Sequence, residues 1–443
     1  MGSASIPTSK RLSAAEAAER VRDRDTLAIP LGPGQPPAFL HALGERPRFS
    51  RLRVFGAFLT DWFLVFTRPG VELQSGFFGP VERQLLARGH RVEFVPGDFR
   101  RFEAIVERFA PRVMATLAAP PDDRGCMSLS LHAGATVEAL HRAGADPDRL
   151  LIVEINPGLP RTLGLPPAHP HALSIDEVDI VISSERPVFT LPDPEPGALD
   201  REIAGHALAY IDPGCTLQTG IGGVPNEIAG QLAAQPGGDY GIHTEMFTTG
   251  LMRLHRAGKV SNLRKGVHEG YSVTTFAAGT RELYDWLDGT RDVRFLPVER
   301  VNDPAVIAAH RKMVSINGAL AVDLAGQVAA DTVGFRQHSG IGGHLDFTGA
   351  ASRSPGGRSL VCLPSTARTP GERVSRIAAQ LAPGTRVTTP RHEVDVVITE
   401  WGAAELGGRS HRERAEALIA IAHPEHREAL REAWAKGSGS GGG

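Results

Sequence analysis

The chain has 443 residues, 41% hydrophobic and 22% charged, with a formal net charge of −2. That length predicts two or three domains, and the near-neutral balance supplies no basic face for a nucleic acid or a membrane surface. Aromatic residues at 6% leave little for stacking on bases, while 50 glycines and 33 prolines predict many tight turns.

The opening, MGSASIPTSKRLSAAEAAERVRD, lacks the apolar stretch of a secretory leader. No run approaches the roughly 20 apolar residues that cross a bilayer. Cys126, Cys215 and Cys362 are few, odd in number and far apart, so no disulfide framework is expected and a cytoplasmic home is the simplest reading. Residues 14–21 read as an amphipathic helix. Apolar runs at 150–155, 178–182, 359–363 and 394–398 read as strands buried on both faces, the pattern of a parallel sheet in an α/β protein. His169 and His171 resemble a metal pair, but no neighbouring acid or cysteine completes a site, so a loop is expected and no metal is assigned. Prolines 187, 192, 194 and 196 make 187–200 a connector between a domain over 1–186 and another over 201–436.

Beyond the connector, 215–218 reads as a short strand and a helix opens near Pro225, with Thr219-Gly220-Ile221-Gly222-Gly223 between them. A strand, a glycine turn and a helix N-terminus present N–H groups to an anion, either a dinucleotide pyrophosphate or the developing oxyanion of an acyl-CoA. In the dinucleotide reading the third glycine of G-x-G-x-x-G falls on Pro225, which weakens it. Glu245, in Gly241-Ile242-His243-Thr244-Glu245-Met246, reads either as a satisfied buried acid or as a carboxylate nucleophile at a strand end. Residues 313–328 read as a hairpin turning near Ala325-Gly326, and Ser339-Gly340-Ile341-Gly342-Gly343 repeats the first glycine turn. Glu400 ends a strand and either lines a site or joins a salt bridge. Arg409, Arg412 and Arg414 form a solvated face or meet phosphates, 413–422 is helical, and Pro424 opens a last helix. GSGSGGG at 437–443 reads as a linker or tag remnant.

Taken in order, LQTGIGGVPNEIA (217–229), GIHTEMFTTGL (241–251), VNDPAVIA (301–308), MVSINGALAVDLAGQVAAD (313–331), SGIGGHLDF (339–347), LPSTA (363–367) and VVITEWGAAELGGRSHRERAEALIAIAHPEHRE (396–428) resemble the acetyl-CoA hydrolase/transferase family, in particular its 4-hydroxybutyrate and butyrate CoA-transferases. EINPGLPRTLG (154–164) extends the likeness toward the N-terminus. PPDDRGCMSLSLHAG (120–134) is a looser match, with Cys126 and Met127 where larger aromatic residues are usual. The resemblance implies two similar open α/β domains of the CoA-transferase (NagB/RpiA-like) type, with the active site in the cleft between them. It implies that Glu245 attacks an acyl-CoA thioester, giving an acyl-glutamyl anhydride and then a glutamyl-CoA thioester. The Val224 N–H would meet the oxygen formed on Glu245. The Asn302 amide and the Gly343 N–H would hold the oxygen formed on the substrate, although Asn302 also suits a turn ahead of Pro304. Gly220, Gly222, Gly223, Gly340 and Gly342 let backbone approach coenzyme A, which is substrate rather than a permanently bound cofactor. The partners implied are an acyl-CoA and a small carboxylic acid such as acetate, with a homodimer as the family expectation. Ala277, Ala278 and Gly279 are expected to border the acyl group. An acyl-CoA hydrolase using the same glutamate is the alternative; a CoA-binding protein without turnover and a nicotinamide-dependent oxidoreductase stand behind it.

Overall fold

The computed structural model describes residues 4–369 and 371–439. These form two compact units, each an α/β fold on a parallel sheet. One comprises the chain through Pro192 with Glu245–Phe247 and Val273–Val301; the other comprises Asp193–Thr244, Thr248–Ser272 and the chain from Asn302 on. The boundary after Pro192 lies inside the expected connector. Two segments expected in the C-terminal domain, Glu245–Phe247 and Val273–Val301, instead count with the first unit. The connector is also shorter than expected, because the Ala198–Leu208 helix already starts within it.

In the first unit, β1 (Arg24–Leu31), β2 (Arg51–Ala57), β3 (Val71–Ser75), β4 (Val92–Phe94), β5 (Val113–Ala118), β6 (Leu150–Ile155) and β7 (Ile180–Ser183) make one sheet of order β4-β3-β2-β1-β5-β6-β7. Every pairing in it is parallel. Strands covered on both faces are apolar on both faces: Leu27, Ile29, Leu52, Val54, Val113 and Ile152 lie in one core with Phe39, Leu40 and Leu43 of helix α1 (Pro37–Gly44). Full burial of each such side chain contributes about 1.5–3 kcal/mol.

The strand order reverses between β1 and β5, the place where open parallel sheets hold ligands at their C-terminal ends. Here the unit fills that place with its own groups. Gly32-Pro33-Gly34 turns the chain out of β1, and the carboxylate of buried Glu154 on β6 accepts from the N–H groups of Ala38 and Phe39 at 3.1 Å each. Gln35 donates to the carbonyls of Ala57 and Phe58, and its Oε1 accepts from the Thr60 N–H and hydroxyl. Buried Glu82 accepts from the N–H groups of Leu59 and Gly79. His132 Nε2–H donates to the Leu117 carbonyl at 3.2 Å, and its ring lies where a Cβ on Gly34 would sit only 2.5 Å away. Burial lowers the His132 pKa to about 4.

In the second unit, β8 (Thr216–Thr219), β9 (Gly241–Ile242), β10 (Met313–Gly318), β11 (Arg358–Cys362), β12 (Val396–Thr399) and β13 (Gly402–Glu405) give the order β9-β8-β10-β11-β12-β13, parallel except for the last pair. Val322, Val361, Val397, Leu418 and Ile421 anchor its core. The expected hairpin at 313–328 is corrected. Met313–Gly318 is a central parallel strand, and only Ala321–Asp323 and Val328–Ala329 pair as a hairpin, turning through Gly326 at φ +89°. A Ser410–Glu413 capping box starts the His411–Ile421 helix, and Pro424 begins the last helix as expected. That helix extends to Gly439, into the stretch expected as a linker, and 440–443 lie outside the described residues. No described helix is long and apolar enough to cross a membrane. Cys215 and Cys362 are buried and Cys126 half-buried; burial pushes the first two thiols up to about 11 and 12.

Candidate active site

The second sheet reverses its order between β8 and β10, and both glycine turns are tied to the C-terminal ends of these neighbouring strands. The first leaves β8 directly. Gly222 holds φ +129°, a conformation that favours glycine, and helix α2 (Gly223–Ala234) follows with no side-chain cap. Asn226 N–H to the Gly222 carbonyl, 3.1 Å, is its first internal bond, so the N–H groups of Gly223 and Val224 precede the helical ladder. Asn226 Nδ2 is pinned by Asp193 Oδ1 at 2.5 Å. A Cβ on Gly223 would lie 2.2 Å from an Asp200 carboxylate oxygen, so that glycine is required by close packing.

The second turn is drawn to β10 by a histidine. Helix α3 (His344–Ala351) begins with buried His344, whose Nε2–H donates to the Gly318 carbonyl at 3.2 Å. That fixes Nδ1 as the acceptor from the Thr389 hydroxyl at 2.9 Å. Burial lowers this pKa to about 4, so the ring stays neutral. Gly342 has φ +57°, and Gly343 occupies the N-cap position without a side-chain capping bond. Asp331 shapes the approach: its carboxylate accepts from Thr388 Oγ1 and Gln337 Nε2, and its carbonyl accepts from the N–H groups of His338 and Ser339. Between the two turns, Gln218 on β8 and Asn317 on β10 exchange amide hydrogen bonds of 3.3 and 3.2 Å.

Asn302 is wholly buried, with Nδ2 3.5 Å from Asp346 Oδ2 in the first turn of α3. The turn role open to it in VNDP is taken by its neighbour, since Asp303 Oδ1 caps the Pro304–Ala309 helix through the Ala305 N–H at 2.8 Å. The second unit thus brings Asn302 and Gly343 to the same helix end. Val224 stands at the other uncapped helix end, beyond the adjoining strand.

Glu245 belongs to the first unit, in a bend between β9 and the Met246–Phe247 strand, and is half-buried. Its carbonyl accepts from the N–H groups of Thr275 and Phe276 at 3.1 and 3.2 Å and from Thr274 Oγ1 at 3.0 Å. Met246 and Phe247 then pair in parallel with Phe276 and Ala277. Phe247 stacks on Trp286 with centroids 5.9 Å apart. The backbone under the carboxylate is therefore held from several sides. Ala277, Ala278 and Gly279 are buried beside this ribbon.

Other candidates resolve into structure. His171 donates through Nε2–H to the Ser130 carbonyl and stacks on Phe295, and among the described residues no group of three or more His, Cys, Asp or Glu is placed to hold a metal. Arg414 is neither a solvated nor a phosphate-facing group: it is buried, and its guanidinium donates to the carbonyls of Ala325, Leu406 and Arg391. Arg412 pairs with Glu416 one turn on. Glu400 accepts from the Ser365 N–H and hydroxyl.

A sequence model of the acetyl-CoA hydrolase/transferase C-terminal domain matches residues 279–434. The chain is 35% identical over 432 residues to the succinyl-CoA:cyclohexane-1-carboxylate CoA transferase of Geobacter metallireducens, an alignment covering 96% of this chain and 94% of the other. The chain belongs to the acetyl-CoA hydrolase/transferase family. The 4-hydroxybutyrate coenzyme A transferase of Clostridium kluyveri is 37% identical over 357 residues, 80% of each chain. Among solved structures, RipA from Yersinia pestis matches with a TM-score of 0.88 at 32% identity, over 97% of both chains.

Several residues of this CoA-transferase-family chain were not singled out from its sequence: Gln218, Asn317, Asp331, His344 and a buried cluster behind β9. In that cluster the His243 ring lies 4.3 Å from His310 and 6.4 Å from His268. Lys265 is wholly buried, which lowers its pKa to about 7, and burial followed by the Lys265 charge lowers that of His310 to about 3. A lysine in a loop carries no signal of burial in one sequence. The repeated glycine turns are the feature of the sequence that marks this region.

Proposed function

We propose that the protein transfers coenzyme A between a short-chain acyl-CoA and a carboxylic acid such as acetate, with Glu245 as the nucleophile. The observation that carries this reading is the pair of uncapped helix N-termini, α2 and α3, entered through glycine turns in a CoA-transferase-family chain. Glu245 Oε attacks the thioester carbonyl, the tetrahedral adduct expels CoA thiolate, and an acyl-glutamyl anhydride remains. The thiolate attacks the glutamyl carbonyl, the first carboxylate departs, and glutamyl-CoA forms. A second carboxylate attacks glutamyl-CoA and the same steps run in reverse, so group-transfer potential is conserved throughout. Each tetrahedral oxyanion needs donors set in place beforehand. In this reading the Val224 N–H serves the oxygen on Glu245, while the Asn302 amide and the Gly343 N–H serve the oxygen on the acyl group. Coenzyme A is the substrate, held near Gly220, Gly222, Gly223, Gly340 and Gly342.

The test is intact-protein mass spectrometry after incubation with acetyl-CoA or butyryl-CoA, with and without acetate, on wild type and Glu245→Gln. A CoA adduct on wild type alone, discharged by acetate, is the expected outcome. Steady CoA release that ignores added carboxylate, without an adduct, would instead establish a hydrolase.

A further inference from the structure

We infer that Lys265 is a positioning residue for the Glu245 nucleophile, acting through the backbone carbonyls of Ile242 and Tyr271; the inference rests on the transferase reading above. Strand β9 is at the sheet edge, paired on one side with β8. Its outer edge is occupied by side chains of a single loop. The Ile242 N–H donates to Asn262 Oδ1 at 2.9 Å, and the Ile242 carbonyl accepts from Lys265 Nζ at 2.8 Å. The same ammonium donates to the Tyr271 carbonyl at 2.6 Å. Ile242 lies three residues before Glu245, and Tyr271 lies three before Thr274, whose hydroxyl, with the N–H groups of Thr275 and Phe276, grips the Glu245 carbonyl. Lys265 therefore ties together the two chain segments that run on to the nucleophile and to its clamp.

Two further observations show that the site is shaped around this side chain. A Cβ on Gly241 would sit 2.3 Å from Lys265 Cγ and 2.9 Å from Cδ, so the glycine that opens GIHTEM admits the lysine stem. Gly241 is absent from the positive-φ residues, so its backbone conformation does not demand glycine. Lys265 is also wholly buried and makes no ion pair among the described residues. A methionine would fill that space without a buried charge, so what the lysine adds is its pair of hydrogen bonds.

The experiment compares Lys265→Met with Lys265→Gln, which are alike in volume but only the second keeps N–H donors. Single-turnover formation of the CoA adduct and steady-state kcat and KM for the acyl-CoA are measured well below each melting temperature. Lys265→Met should slow adduct formation by about 10- to 100-fold, the scale of a nucleophile displaced by an ångström or less, with little change in KM; Lys265→Gln should recover much of the rate. Equal rates for wild type and Lys265→Met would overturn the inference. So would equal slowing in Met and Gln variants, which would mean a volume-filling role. If neither variant folds, Gly241→Ala takes their place, since it displaces the stem of an unchanged lysine; the same loss of rate is expected, and wild-type kinetics would overturn the inference. Absence of any adduct on wild type would instead remove the transferase reading itself.

Discussion

The two units use one architecture and finish its ligand-bearing end differently. Each is a parallel sheet whose strand order reverses once, between β1 and β5 in the first and between β8 and β10 in the second. In the first, the helix leaving the reversal point has its N–H groups occupied by the Glu154 carboxylate, and Gln35, Glu82 and His132 close what remains. In the second, helices α2 and α3 start without side-chain caps. A helix N-terminus attracts an anion whether the protein or a ligand supplies it. The first unit supplies its own; in the function proposed above, the second keeps its place for the acyl-CoA.

One pH experiment tests the element both ends share, a neutral histidine at each: His132 in the first and His344 in the second, both lowered to about 4 by burial. Between pH 6.5 and about 4 the unfolded chain binds protons that the native chain refuses. Stability therefore falls with falling pH, by up to about 1.4 kcal/mol per pH unit for each histidine. Urea unfolding across that window should show the loss, and His132→Gln or His344→Gln should each make it shallower, with buried His171 and His310 carrying the remainder. Buried Glu299, Glu82 and Glu154, raised by burial, act in the opposite direction, so the test is the difference between variant and wild type: a His→Gln protein with the wild-type slope would mean that its ring is not held neutral.

The difference between the ends is then drawn by paired substitutions. Asn302→Ala, at the open end, should lower kcat by about 10²–10³-fold, the usual consequence of losing one oxyanion donor; unchanged turnover would remove Asn302 from the mechanism. Glu154→Ala, at the closed end, leaves the buried Phe39 N–H and the part-buried Ala38 N–H unmet and should cost about 2–3 kcal/mol in chemical denaturation, with kcat little altered. A Glu154 variant that lost turnover while keeping stability would break the comparison. Gly222→Ala should come next, since an L-residue at φ +129° stores about 1–3 kcal/mol of strain and moves the Val224 N–H, so adduct formation slows before melting shifts far. Arg412→Ala, on an exposed i,i+4 pair, should change stability by no more than about 0.5 kcal/mol and turnover not at all.

What the sequence revealed follows from how each feature is written in it. The strands at 150–155, 359–363 and 394–398 are legible because both of their faces are buried, so apolar residues run unbroken. β10 was legible as the arm of a hairpin but not as a central strand, because buried Ser315 interrupts its apolar run, standing between Gln218 on β8 and Ser359 on β11 in register. β1 opens with Arg24 and Asp25 and contains Pro30, which hid it as well. The glycine turns and Glu245 were legible as motifs, but their supports were not. Asp331, His344 and Lys265 work through partners that are distant in the chain or are backbone carbonyls, which leave no trace in residue identity. In sequence Arg414 reads with Arg409 and Arg412 as a solvated face or a phosphate contact, because its three acceptors are carbonyls too.

The burial of two of the three thiols governs how a covalent intermediate can be read out. Cys215 and Cys362, buried and with raised pKa values, supply almost no thiolate near neutral pH, which leaves half-buried Cys126 as the residue able to exchange with a CoA disulfide contaminant. Such a mixed disulfide would outweigh a glutamyl thioester by one oxygen atom and would be cleaved by a phosphine reductant that spares the thioester. A Cys126→Ser protein therefore gives a background against which any remaining CoA adduct reports on a carboxylate.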